Sequence, residues 1–80
     1  MADVLTMYIR TDCHLCDEMY EALQAWQEKL GFALRSVDIA DDPGLITRFG
    51  DKVPVLMHGE REICHYELDE AALLACLALR

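Results

Sequence analysis

Leu15, Met19, Leu23, Trp26 and Leu30 recur at steps of three and four residues, while Asp17, Glu18, Glu21, Gln24 and Glu28 fill positions between them. That spacing draws one apolar stripe along a polar cylinder, so residues 15–30 read as an amphipathic helix. Two short runs of strand-forming residues flank it. Residues 3–9 (DVLTMYI) are too few for a comparable helix and read as a buried strand. Residues 32–39 alternate loosely, with Phe32, Leu34, Val37 and Ile39 apolar, and read as a second. In a strand–helix–strand unit of this length the helix crosses over the sheet and the two strands lie parallel.

The remaining elements follow from local signals. Gly31, just after Lys29, marks the end of the long helix. Asp41-Asp42-Pro43 sets a capping acid before a proline suited to a first helical turn, so residues 43–49 form a short helix that Gly50-Asp51 ends. Residues 53–58 read as a third strand. They contain Pro54, an anomaly in a central strand because proline has no N–H for the ladder. Gly59-Glu60 is a tight turn into a fourth strand over residues 61–66, which makes an antiparallel hairpin. Asp69-Glu70 caps a last helix running through residue 79, with Ala71, Leu73, Leu74, Leu77 and Ala78 as its buried stripe. The predicted order is β-α-β-α-β-β-α, an α/β fold with a mixed four-stranded sheet covered by helices. Eighty residues with no linker or repeat make one domain, residues 1–80.

Charge narrows the partners. Seven basic residues against 15 acidic give a net charge of -8, which repels a phosphate backbone and an anionic lipid surface. Neither nucleic acid nor membrane is expected. No apolar run approaches the roughly 18–20 residues of a bilayer span. Met1-Ala2-Asp3 lacks the basic start of a secretory signal, so a cytoplasmic location is expected. Four cysteines in 80 residues fall below the density of disulfide-stapled miniproteins, about 8–10%. In that setting they point to catalysis or metal binding more than to structural cross-links.

Cys13-His14-Leu15-Cys16 stands where the first strand gives way to the long helix. The spacing lets two sulfurs close a small ring across the first helical turn. It also sets Cys13 at a helix N-terminus, where free N–H groups and the macrodipole favour a thiolate. The thiolate is the nucleophile of disulfide exchange. Cys13 would attack a substrate disulfide, and Cys16, more buried, would resolve the mixed disulfide. A protonated His14 would stabilise the Cys13 thiolate, and Arg10 would add a second positive charge. Asp12, Asp17 and Glu18 oppose them, and Coulomb terms of about 1 kcal/mol each leave the balance close. The inert alternative is two buried cysteines that never react.

Val53-Pro54 bears on the same site. A cis bond there would leave the Val53 backbone to pair with an extended substrate; a trans proline opening an edge strand is the ordinary alternative. Cys64-His65 is a second Cys/His pair, and with Cys13 and Cys16 it formally supplies four zinc ligands. Adjacent strand residues point to opposite faces, however, which works against such a set. Cys76 reads as a small apolar filler, Trp26 as core or helix surface, and His58 as a solvated turn residue.

Together, the element order, the run Tyr8-Ile9-Arg10-Thr11-Asp12-Cys13-His14-Leu15-Cys16 and the Val53-Pro54 step resemble the glutaredoxin branch of the thioredoxin superfamily. More closely, the chain is similar to short bacterial glutaredoxin-like proteins that carry Cys-His-Leu-Cys. The resemblance covers nearly the whole chain and implies a thioredoxin-like fold. It implies a thiol–disulfide oxidoreductase acting on a disulfide-containing protein or small molecule, with Cys13, Cys16 and His14 at the reacting centre. Arg10 matches a basic residue that meets a glutathione carboxylate, and Val53 and Pro54 match the step that pairs with the tripeptide backbone. Glutathione or a thioredoxin-type reductase system would be the reductant, with no tightly bound cofactor, no metal in the site and a monomeric chain. Two departures stand out. His14-Leu15 replaces the usual Pro-Tyr between the cysteines. Cys64-His65, with Glu67 beyond, occupies the place of a Gly-Gly pair that holds the γ-glutamyl end, and side chains there obstruct a close backbone approach. The alternative reading keeps the fold as a non-catalytic binding module, using the Cys/His cluster for a metal or the surface for a protein partner.

Overall fold

The crossover expected from the sequence is present. In a computed structural model that describes residues 3–78, β1 (Val4–Ile9) leads into α1 (His14–Leu30) and then β2 (Ala33–Asp38), and β1 and β2 pair in parallel. Next come α2 (Pro43–Phe49), β3 (Val55–His58), β4 (Arg61–His65) and α3 (Glu70–Ala78). β3 is antiparallel to β1, and β4 to β3, giving one sheet in the order β2-β1-β3-β4. Residue 79, expected at the end of the last helix, lies outside the described residues.

The helix ends are set as the local signals require. Gly31 takes φ 75° and its N–H closes on the Gln27 carbonyl at 2.9 Å, a left-handed stop that glycine adopts without penalty. Asp42 caps α2, its Oδ1 accepting the N–H groups of Gly44 (2.9 Å) and Leu45 (3.2 Å), with Pro43 in the first turn. Asp69 accepts the Ala72 N–H at 3.0 Å and opens α3.

Two apolar layers hold the sheet. Alternation in β1 sends Leu5 and Met7 to one face, where they meet Met19 and Leu23 of α1, Leu56 and Cys64 of the hairpin, and Leu73 and Leu77 of α3. On the other face Val55 and Met57 pack with Ile39 and Phe49, and Tyr8 stacks on Phe49 with ring centroids 4.6 Å apart. Phe32 and Ile39 are buried just outside β2. β4 carries an irregularity: Leu56 faces Cys64 while Met57 faces Glu62, leaving Ile63 as the extra residue of a bulge.

Some expectations are corrected. β3 begins at Val55, so Val53 and Pro54 precede the strand and the proline anomaly dissolves. Their connecting peptide bond is cis. β4 ends at His65, because Tyr66 turns into the left-handed region at φ 65°. On α1 the inward position of the first turn belongs to Cys16, and Leu15 is exposed. On α3 the buried residues are Leu73, Cys76 and Leu77; Leu74, Ala71 and Ala78 face outward. His58 is no solvated turn residue: it ends β3, sits two positions from Leu56 on the α3 side, and has partners at both ring nitrogens. Trp26 lies at the core edge and donates its indole N–H to Glu70 Oε2 at 2.8 Å, tying α1 to the start of α3.

Candidate functional site

The site forms where the chain leaves the sheet and enters α1. After Ile9 the backbone turns through Thr11 and Asp12, with Asp12 at φ 60°, a left-handed conformation that aspartate tolerates better than most residues. Thr11 donates its hydroxyl to Asp38 Oδ2 at 3.1 Å, fastening this turn to the end of β2. Cys13 is the N-cap of α1. Its backbone is extended (φ -100°, ψ 105°), its carbonyl accepts the Asp17 N–H at 3.3 Å, and its sulfur accepts the Cys16 N–H at 3.1 Å. A sulfur therefore stands where serine or aspartate usually stands, facing the positive end of the helix.

Cys16 lies one turn along, on the buried stripe, and is 3% exposed. The two Cα atoms are 5.2 Å apart and the sulfurs are joined as a disulfide. The outer sulfur is thus partly accessible and helix-capping, while the inner one is enclosed by the core. His14 projects outward: its side chain is 87% exposed and Nε2 lies 3.8 Å from Glu18 Oε1, one turn along α1. Arg10 is exposed and donates from Nη1 to the Gly50 carbonyl at 3.4 Å, joining the end of β1 to the end of α2.

Pairing of Tyr8 with Val55 sets Pro54 at the same end of the sheet as Ile9 and the cysteine turn. Val53 is half-buried and Pro54 buried. Tyr66 fixes this segment from two sides. Its N–H donates to the Pro54 carbonyl at 2.9 Å and its hydroxyl donates to the Asp51 carbonyl. Tyr66 was not among the expected site residues, since a tyrosine at a strand end carries no signal for either its left-handed backbone or its two anchors. A cavity of about 340 Å³ opens beside the cysteines, bounded by Arg10, Cys13, Cys16, Asp17, Tyr20 and Asp38.

The second Cys/His pair divides as adjacent strand residues must. Cys64 is buried in the α1/α3 layer, and burial pushes its thiol up from the ordinary cysteine range. His65 is exposed, packs edge-on against the Tyr66 ring, and has Nδ1 2.8 Å from Glu62 Oε2. Lys52 donates to the other Glu62 oxygen, and these two hydrogen bonds hold the Glu62 carboxyl below the ordinary range. Among the described residues no three His, Cys, Asp or Glu side chains are grouped to hold a metal ion. Among the same residues no helix is long and apolar enough to cross a membrane.

Comparison with known proteins agrees with this geometry. The protein designated Ne2328 from Nitrosomonas europaea superposes with a TM-score of 0.87 at 36% identity, over 95% of this chain and 92% of that one. The X. campestris protein XcR50 gives a TM-score of 0.73 at 43% identity, over 95% and 97%. Thioredoxin 1 from Thermosipho africanus shares the fold at a TM-score of 0.62 and 16% identity, over 95% of this chain and 93% of that one. Protein Rv0508 of Mycobacterium tuberculosis is 34% identical over 74 residues, 86% of this chain and 76% of its own length. Residues 4–78 match the sequence model described as a glutaredoxin-like domain (DUF836), and the cysteine pair lies inside that span. With a thioredoxin-type sheet, a Cys-x-x-Cys pair at the start of α1 and a family match over nearly its full length, the chain has the thioredoxin fold and belongs to the glutaredoxin-like domain family.

Proposed function

We propose that this protein is a dithiol disulfide oxidoreductase. One observation carries the reading: the sulfur of Cys13 caps α1 and accepts the Cys16 N–H, with Cys16 buried one turn beneath it at disulfide distance. When the pair is reduced, that amide and the helix macrodipole favour the Cys13 thiolate, and they are fixed in place by the fold. The Cys13 thiolate attacks one sulfur of a substrate disulfide and releases the other as a thiolate. Cys16, deprotonated, then attacks the Cys13 sulfur, releases the second substrate thiolate and leaves the Cys13–Cys16 disulfide. Two electrons pass to the substrate. A small thiol of the glutathione class, or a thioredoxin-type reductase, returns them in a reducing cytoplasm.

The flanking residues have supporting parts in this reading. Val53, ahead of the β3 ladder and at the same end of the sheet as Cys13, docks an extended substrate backbone. Arg10 offers a positive charge to a substrate carboxylate. His14 lies close to Glu18, so its contribution to the Cys13 thiolate is subordinate to that of the amide.

The test is a trapping experiment with a disulfide-linked peptide. Cys16→Ser is expected to accumulate a mixed disulfide on Cys13, seen by mass as one half of the peptide dimer. Cys13→Ser is expected to stay folded and accumulate none. A folded Cys16→Ser protein that forms no adduct at Cys13 refutes the oxidoreductase and leaves the binding module.

A further inference from the structure

A second group of reactive side chains lies at the opposite pole of the sheet, where Asp3 precedes β1, His58 ends β3 and Cys76 sits in the last turn of α3. His58 Nδ1 is 3.3 Å from Cys76 Sγ, and His58 Nε2 is 3.2 Å from Asp3 Oδ1. A carboxylate only accepts hydrogen bonds, so Nε2 carries the hydrogen toward Asp3. In the neutral ring Nδ1 then accepts from the thiol. This is nucleophile, base and orienting carboxylate in sequence, the arrangement that activates a thiol by proton transfer to imidazole.

Cys76 is near the C-terminal end of α3, where the macrodipole disfavours an anion, so any thiolate there depends on the His58 cation. The six residues of β1 separate this group from the turn that carries Cys13, about 20 Å at strand rise, too far for exchange between the two sites within one folded chain. Cys76 is 8% exposed and the His58 side chain 31%, a burial that closes the sulfur to a protein disulfide and restricts attack to a small neutral reagent.

We propose that Cys76 is a second reactive thiol, independent of the Cys13–Cys16 pair, which His58 deprotonates for attack on hydrogen peroxide, with Asp3 as the positioning residue for His58. The sulfur forms a bond to one peroxide oxygen as the O–O bond breaks. The departing hydroxide keeps its own hydrogen, takes the thiol proton from His58 and leaves as water, while the transferred oxygen keeps the other peroxide hydrogen. Sulfur loses two electrons, peroxide gains them, and Cys76 becomes a sulfenic acid.

The test uses the full chain with Cys13, Cys16 and Cys64 each changed to serine, so that Cys76 is the remaining thiol. The protein is treated with hydrogen peroxide for timed intervals, the peroxide is removed, the chain is unfolded in urea containing dimedone to capture the sulfenic acid, and the rate is read by mass. Native protein is expected to react at least about tenfold faster than the same chain in urea, where Cys76 is fully exposed but separated from His58. His58→Gln in the native fold is expected to react no faster than the urea-treated chain. Asp3→Asn is expected to slow the native reaction and Asp3→Glu to restore it, as a positioning carboxylate requires. Native Cys76 reacting no faster than in urea overturns the proposal, even should His58→Gln fail to fold. A folded His58→Gln protein that keeps the native rate overturns it as well.

Discussion

Tyr66 holds the segment beside the cysteines at the cost of a backbone conformation that tyrosine disfavours, and the two effects can be separated by three substitutions. Its φ of 65° places it in the left-handed region, which costs a residue with a Cβ about 1–2 kcal/mol. Its hydroxyl bond to the Asp51 carbonyl contributes about 1 kcal/mol net. Tyr66→Phe removes the hydroxyl bond and keeps the strain, so stability is expected to fall by about 1 kcal/mol, a drop of roughly 4–8 °C in Tm for a domain this small. Tyr66→Gly loses the same bond and about 0.5–1 kcal/mol to unfolded-chain entropy, but recovers about 1–2 kcal/mol of strain, so it is expected within about 1 kcal/mol of the parent. Tyr66→Ala loses the bond and keeps the strain, and is expected to be less stable than Tyr66→Gly. Urea unfolding followed by circular dichroism, with the Cys13–Cys16 pair in one redox state throughout, measures all three. An alanine variant more stable than the glycine variant would refute the strain. A phenylalanine variant as stable as the parent would refute the hydroxyl anchor.

Leu23 is fully buried between α1 and the sheet, so Leu23→Ala should cost about 3–5 kcal/mol in urea unfolding, a loss near the lower end of the total stability of small domains. The lowered Glu62 carboxyl gives a signed pH effect: its contribution to stability is present above the ordinary glutamate range and disappears as pH falls through the depressed folded value. Thermal melts of the parent and Glu62→Gln should therefore differ at neutral pH and converge in acid, with the parent the more stable at neutrality.

The path of the chain was legible because its signals are local. The strand–helix–strand order, Gly31 as a helix stop, Asp42-Pro43 as a helix start and Gly59-Glu60 as a hairpin turn depend on neighbours a few residues away. The Cys-x-x-Cys spacing belongs to the same category, since one helical turn carries both sulfurs. The face a residue takes depends on what packs against its helix. On α1 both Leu15 and Cys16 fit the spacing to Met19, and packing against the sheet turned the smaller Cys16 inward. On α3 apolar residues surround the helix, so periodicity alone could not separate Leu74 from Leu73.

The order of elements, the crossover that makes β1 and β2 parallel, and the cysteine pair at the start of α1 are each written within a short stretch of chain. What meets across long separations came from the folded packing. It set Pro54 level with the cysteine turn, closed Tyr66 over residues 51–54, joined Trp26 to Glu70, and brought His58 between Asp3 and Cys76. These contacts depend on strand register and on which helix covers which face. Both are fixed by the collective burial of apolar surface, to which no single short segment holds the key.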